Sequence, residues 1–422
     1  ECDAFRHVNV FSRKRFTEEL KIMTRIYADN AATTKISQTA MKAMLQAMEN
    51  TYGNPSSLHQ AGMEANDAIQ NARETIARCL GCTPKEIFFT SGGTESDNQA
   101  ILSAAISGAK KNKKHIISTA FEHHAVLHTL EKLKEQDFEI QLLDVGEEGY
   151  VTADQVKEAI RPDTCLVTVM SANNEIGSIL PIGEIGEVCR EKGVLFHTDA
   201  VQAAGHISIN VKEQNIDLMS LSAHKFHGPK GIGVLYAKRG TELTRLLEGG
   251  GQERGMRPGT ENVPAIMGMA AALKEECSLI EEHTKRVAAM RDRLIRGLMQ
   301  IPHCILNGPS GLRLPGNVNF CFEGVSGESL LLLLDSKGIC ASSGSACASG
   351  ALDPSHVLLA LGRPAEIAQG SLRLSLDASN TEEEIDYMLE EIPKVVEHLR
   401  KKSDSWQEKS AKRKNLNCRY LT

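Results

Sequence analysis

The chain has no excess of positive charge. Its 48 Lys and Arg stand against 54 Asp and Glu, a formal net charge of −6, so it lacks the broad basic field that nucleic-acid binding needs. No apolar run approaches the roughly 18 residues of a membrane span. The longest leucine run, residues 330–334, is bounded by Glu328 and Asp335. The 11 cysteines show no framework spacing, and His and Cys fall in no zinc pattern. There is no internal repeat, no low-complexity stretch and no secretory segment. These absences argue against nucleic acid, membrane and structural metal, and they fit free thiols in a reducing cytoplasm. What is present is a 422-residue chain, 41% apolar and 24% charged, long enough for two domains with a large core.

The first 22 residues interleave Arg6, Arg13, Lys14 and Arg15 with Phe5, Val8, Phe11 and Phe16 and do not resemble the rest. Met23 precedes the first clear strand, residues 25–29, and is expected to be the natural start, with 1–22 a tag-like extension and a targeting peptide the alternative. Residues 401–422 read as a frayed, basic tail. Cys79 and Cys82 have C-x-x-C spacing without a second pair, and read as helix-end thiols.

Between these ends, short apolar strands alternate with helical stretches. Strands are expected at 86–90, 115–119, 140–145, 166–170, 194–198, 218–222 and 233–237, with helices at 95–106, 125–136 and 152–160 among them. That alternation predicts an α/β fold with a mostly parallel sheet, which binds ligands at the carboxyl ends of its strands. A second region opens with a helix near 271–299 and continues with strands at 318–322 and 372–376 and a helix at 328–337. Its last helix runs from about 382 to 401, with Thr381 and Glu384 as a capping box. The division reads as a large domain over 37–270 and a smaller α+β domain from 23–36 and 271–400.

The polar residues cluster at the predicted strand ends. Lys225 lies in Ser222-Ala223-His224-Lys225, just after a strand, and Asp199 ends another. Alone, a lysine after a strand is an ordinary solvated end. Together with Asp199 it offers what pyridoxal phosphate requires: an amine for an imine bond and an anion for the pyridinium nitrogen. The turn Ser91-Gly92-Gly93-Thr94 leads into a helix whose free N–H groups suit a phosphate, although an ordinary tight turn reads the same way. His123, beside His124, could stack on a flat ring, and Asn174 could bind a phenolate or carboxylate. Arg373, in an apolar strand, needs an anion, either a substrate carboxylate or a structural partner. Residues 249–262 form a second glycine-rich cationic loop that looks like another phosphate contact. The loop 341–350 is built of small residues around a single thiol, Cys347.

Taken in order, YADNAATT, GNPSSLHQAG, FTSGGTESDN, EHHAVL, NNEIG, HTDAVQ, SAHKFHGPKGIG, GGGQERGMRPGTEN, SSGSAC and RLSL resemble the cysteine desulfurases of the NifS/IscS type, within the class V aminotransferases. The resemblance runs from about Ile26 to Leu399. It implies a two-domain, homodimeric enzyme of the PLP-dependent transferase fold type I, with a mostly parallel seven-stranded sheet in the large domain. It assigns Lys225 to the imine, Asp199 to the ring nitrogen, Gln202 to the ring oxygen and His123 to stacking. Gly93, Thr94, Ser222 and His224 would hold the phosphate, with Thr260 from the other subunit. Asn174 and Arg373 would bind the substrate carboxylate, and Cys347 would be the nucleophile.

The implied reaction removes sulfur from L-cysteine. Lys225 acts as base at Cα, the Cys347 thiolate attacks the substrate sulfur, alanine leaves, and a persulfide remains on Cys347. The sulfur would pass to an iron–sulfur scaffold or another acceptor in the cytoplasm. No metal is implied beyond transient iron–sulfur ligation by Cys347. A selenocysteine lyase, a general PLP aminotransferase and a non-catalytic sulfur-relay scaffold stand as alternatives at this point.

Overall fold

A computed structural model describes residues 25–343, 354–404 and 406–409. Cys347 therefore lies outside the described residues, as do the whole of 1–22 and most of the basic tail. The strands are β1 (Ile26–Tyr27), β2 (Ile87–Thr90), β3 (His115–Thr119), β4 (Glu139–Leu143), β5 (Thr164–Thr168), β6 (Leu195–Asp199), β7 (Leu218–Ser222), β8 (Gly233–Ala237), β9 (Cys304–Leu306), β10 (Asn317–Phe322), β11 (Ile339–Cys340) and β12 (Ser371–Ser375). The helices are α1 (Gln38–Asn50), α2 (Gln60–Leu80), α3 (Gly93–Ala109), α4 (His124–Lys134), α5 (Ala153–Ala159), α6 (Ile182–Lys192), α7 (Val263–Leu298), α8 (Gly327–Ser336), α9 (His356–Ala360), α10 (Ala365–Ala368) and α11 (Glu382–Lys402).

Seven strands form one sheet in the order β2-β8-β7-β6-β5-β3-β4. All neighbours run parallel except β8, which is antiparallel to both β2 and β7. Strands β3, β5, β7 and β8 are buried along their whole length, because helices cover both faces. The edge strand β4 is half exposed. This is the expected α/β, fold type I architecture.

A second hydrophobic cluster lies apart from the sheet. It joins Ile26 and Ala28 to Met290 and Leu294 of α7, to Val318 and Phe320 of β10, and to Ile385 and Met388 of α11. The sheet β12-β10-β9 and the parallel pair β1-β11 frame it. Helix α11 starts as the sequence predicts: Thr381 and Glu384 form the capping box, and acidic residues fill the first turn while basic ones fill the last. Helix α7 begins at Val263, earlier than expected, because Asn262 accepts from the Ala265 N–H and so caps a longer helix. The eight described cysteines are all free thiols. Cys79 lies in the last turn of α2 and Cys82 just past its left-handed Gly81 cap, as read.

One ion pair ties the second glycine-rich loop to helix α2. The Arg73 guanidinium donates from Nη2 to Glu253 Oε1 at 2.6 Å and from Nη1 to Glu253 Oε2 at 2.8 Å. Both side chains are buried. Glu253 also accepts from the Phe89 N–H of β2 at 2.9 Å, and Arg73 lies over the Phe89 ring. The arginines of that loop are also engaged within the chain: Arg254 stacks on Phe88, and Arg257 donates to Glu95 at 3.1 Å. Removing one member of a buried, bidentate pair strands the other charge. Arg73→Met is expected to destabilise the protein by about 3–5 kcal/mol, read as a lower urea midpoint, with Arg73→Met/Glu253→Met recovering part of the loss.

Candidate active site

The carboxyl ends of the parallel strands gather most of the residues singled out from the sequence. Ser222 ends β7, and a single helical turn, Ala223–Lys225, follows it. Lys225 leaves that turn with its Nζ donating to the carbonyls of Ala31 at 2.7 Å and Ala32 at 2.8 Å. Gln202 Nε2 donates to the same Ala31 oxygen at 2.9 Å. The segment carrying Ala31 follows β1 and enters from the second cluster, so the lysine stands where the two cores meet.

Asp199 is the last residue of β6 and is buried. Its Oδ1 accepts from the Val201 N–H at 2.9 Å. Burial pushes its carboxyl up to about 6, against the opposing pull of that N–H and of the Lys225 ammonium. His123 caps α4, its Nδ1 accepting from the Ala125 N–H at 3.1 Å, which leaves the ring proton on Nε2. Burial first, then the Lys225 and His124 charges, push this imidazole down to about 4, so it is neutral at physiological pH. Donor atoms of Asp97, His123 and Asp199 all lie within 4.8 Å of one another. Within this group Asp199 offers the carboxylate that a pyridinium N–H would need.

The end expected to take a phosphate is built from backbone. Gly93 opens α3 directly after β2 and Gly92. A Cβ at Gly93 would stand 2.6 Å from Val201 Cγ2, so only glycine lets this helix start approach the β6 end so closely. Ser222 borders the same turn, its Cβ lying 3.6 Å from where a Gly93 Cβ would stand. Thr94 is exposed at the helix start, where N–H groups have no intrahelical partner. His224 meets Thr33 Oγ1 at 3.1 Å, and burial, then the Lys225 charge, push it down to about 4. An amine, a buried anion, a stacking ring and a helix start thus converge, and they fit pyridoxal phosphate.

Arg373 is buried at the centre of β12. Its Nη2 donates to Asp29 at 2.9 Å and its Nη1 to the Asn174 carbonyl at 3.2 Å, while Nε has no partner. Asn174 and Arg373 are therefore together, and the anion that Arg373 needs is Asp29 in this state. Thr260 is exposed on the loop before α7. Among the described residues no hydrogen bond joins Thr260 to the Lys225 region.

Four contributors escaped the sequence reading. Asp29 holds Arg373, and the Ala31 carbonyl holds Lys225 and Gln202. Asp97 and Glu122 are buried beside Asp199. All four lie in motifs quoted above, which is the only signal that could have raised them.

The Aminotransferase class-V family profile matches residues 26–388. The cysteine desulfurase IscS of Clostridium botulinum (strain Hall) is 51% identical over 387 residues, covering 91% of this chain and 97% of the relative. A solved NifS-like protein superposes with a TM-score of 0.83 at 38% identity, covering 89% of this chain and all of its own. The structure titled SspA in complex with cysteine gives a TM-score of 0.74 at 36% identity, covering 84% and 100%. With that extent of agreement on top of the strand-end geometry, the chain belongs to the class V aminotransferase family, in its NifS/IscS cysteine desulfurase group.

Proposed function

We propose that this chain removes sulfur from L-cysteine with pyridoxal phosphate as cofactor, yielding L-alanine and a persulfide on Cys347. The observation that carries the reading is the convergence of Lys225 Nζ and Gln202 Nε2 on one carbonyl, with Asp199 buried within the field of the same ammonium. When bound, the cofactor supplies an electron sink that makes the substrate Cα proton acidic and the sulfur easy to detach.

The chain's own groups do the rest. Lys225 Nζ would anchor the cofactor and, with its amine free, would take the substrate Cα proton. Asp199 would hold the proton of the ring nitrogen, and the neutral His123 ring would stack against the cofactor. Gly93, Thr94, Ser222 and His224 bind the phosphate, with Thr260 supplied by a second subunit. Asn174 and Arg373 bind the substrate carboxylate, with Asp29 giving up its ion pair as the substrate enters. Cys347, outside the described residues, is the nucleophile that accepts the sulfur.

We further propose a homodimer, divided into a large domain over 37–270 and a small domain from 23–36 and 271–400. Leu45, Met48, Tyr52, Leu58 and Met63 are exposed along α1, the following loop and the start of α2, with Leu58 94% exposed. An apolar surface of that kind calls for a protein partner, and a second copy also explains the isolated position of Thr260. Among the described residues no helix is long and apolar enough to cross a membrane. The free thiols support a cytoplasmic site, and the sulfur acceptor is an iron–sulfur scaffold or a similar thiol-bearing protein.

Cysteine turnover with detection of a persulfide on Cys347 tests the whole reading. Cys347→Ala should keep the yellow bound cofactor and lose at least ~100-fold in alanine release; unchanged turnover would instead mark an ordinary aminotransferase. Lys225→Ala should lose the covalently held chromophore, seen as colour that dialyses away. Arg373→Gln should cut kcat/KM for cysteine by about 100-fold, mostly through KM, since a charge-assisted pair is worth about 1.5–3 kcal/mol. Asp199 is anionic above about pH 6, so cofactor affinity should fall about tenfold per pH unit below that value, and Asp199→Asn should flatten the dependence.

A further inference from the structure

Three carboxyl groups are buried together beneath the proposed cofactor site. Asp97 comes from α3, Glu122 from the turn after β3, and Asp199 from the end of β6. Among the described residues, the cation whose field reaches Asp199 and His123 is the Lys225 ammonium. The two nearest imidazoles bring no charge. His123 is held at about 4 and His197 at about 3, in both cases chiefly by burial. His197 also has both ring nitrogens committed, to Thr168 Oγ1 at 2.8 Å and Ser220 Oγ at 3.0 Å. Three anions against one ammonium in a dry site would repel one another strongly.

The hydrogen bonds divide the three. Asp199 Oδ1 receives the Val201 N–H. Glu122 Oε1 receives the Thr119 hydroxyl at 2.7 Å and the Met170 N–H at 3.0 Å, but its Oε2 is buried with no partner. Asp97 Oδ1 is likewise buried with no partner, the neutral His197 Nε2 standing 3.6 Å away. An ionised oxygen in such a place bears the full cost of lost solvation, whereas an oxygen carrying its own proton does not.

We propose that Asp97 and Glu122 are kept as neutral carboxylic acids, positioning residues that leave Asp199 the single anion able to meet the cofactor's ring nitrogen. The inference concerns the protein's own protons, and only its last clause rests on the function proposed above. The electrostatics agree. Burial and then the Asp199 charge raise Asp97 well above the usual carboxylate range, and burial pushes Glu122 up to about 8. The remaining neighbours are the Ser220 hydroxyl, which favours ionised Asp97 only weakly against these effects, and His356, which reaches the Glu122 carbonyl at 2.9 Å and not its carboxyl. The arrangement explains how a site with three acids can commit one of them to the pyridinium: the other two cannot compete for its proton.

Infrared difference spectroscopy of the cofactor-free protein at pH 7 tests this directly. Subtracting Asp97→Asn or Glu122→Gln from the unmutated protein should each remove one band of a protonated carboxyl group. The Glu122 band should bleach as pH rises through about 8. Loss of a carboxylate band in either case overturns the proposal. In unmutated protein, carboxyl-13C aspartate should shift the Asp97 band, and carboxyl-13C glutamate that of Glu122 together with Glu175, which burial pushes up to about 7; the Glu122 band is told apart by bleaching at the higher pH, so a variant that fails to fold does not block the test. In the cofactor-loaded protein, the pH midpoint of the visible absorbance should move by less than ~0.3 unit in Asp97→Asn and Glu122→Gln, as a neutral group replaces a neutral group. Removal of a true anion would move it by about one unit or more and would overturn the assignment. Infrared bands as expected in a protein that binds no cofactor would refute the proposed function and leave this inference standing.

Discussion

The carbonyl oxygen of Ala31 is the point on which the site depends. It belongs to the short segment between β1 and α1, and it receives hydrogen bonds from Lys225 Nζ and Gln202 Nε2 together. Those donors come from different strand ends of the large sheet, while the acceptor is fixed by a strand that pairs with β11 in the other cluster. A carbonyl has two lone pairs, and here both are used across a boundary between cores. The same segment supplies Asp29 to Arg373 and Thr33 to His224. A few residues near the start of the described chain thus hold the Lys225 amine, the Gln202 amide and the Arg373 guanidinium in mutual register.

Around that segment the electrostatics follow from burial at the ends of parallel strands. Helices on both faces leave the strand ends dry, so titratable groups there shift toward their neutral forms. His123, His197 and His224 are uncharged for this reason. The charged groups that persist do so where a specific partner sits opposite, as Arg373 has Asp29 and Arg73 has Glu253. Charge in this molecule is rationed by geometry, and that makes the few remaining ions informative.

Much of the architecture was legible because the sheet is mostly parallel and doubly covered. Its strands are near-continuous apolar runs, and polar residues stand out where those runs stop. Lys225 and Asp199 were visible by that contrast, as were the His123–His124 and Asn173–Asn174 pairs, of which the resemblance picked out His123 and Asn174. Helix α2 was not visible, because its buried face mixes Ile69, Ile76 and Leu80 with the small Gly62, Ala65, Ala72 and Ala77 and the charged Arg73. Alanine gives a weak periodic signal. Asp29, Asp97 and Glu122 were illegible for another reason. Nothing local distinguishes a carboxylate that will meet a guanidinium from one buried beside another acid, since the partners lie far along the chain. The motifs carried the resemblance, but only the fold shows which acids are neighbours.

The antiparallel strand β8 has a mechanical consequence. Because it returns directly beside β7, Lys225 rides on a connection between two adjacent strands, with Ser222 paired to Gly233 at its mouth. A crossover helix, the usual link in such sheets, can slide or tilt on its packing face. This loop is tied at both feet to the same ladder, which limits how far its backbone can shift. Movement of the Lys225 amine is then left chiefly to its own methylene arm, which can rotate while the strand ends beneath it stay put.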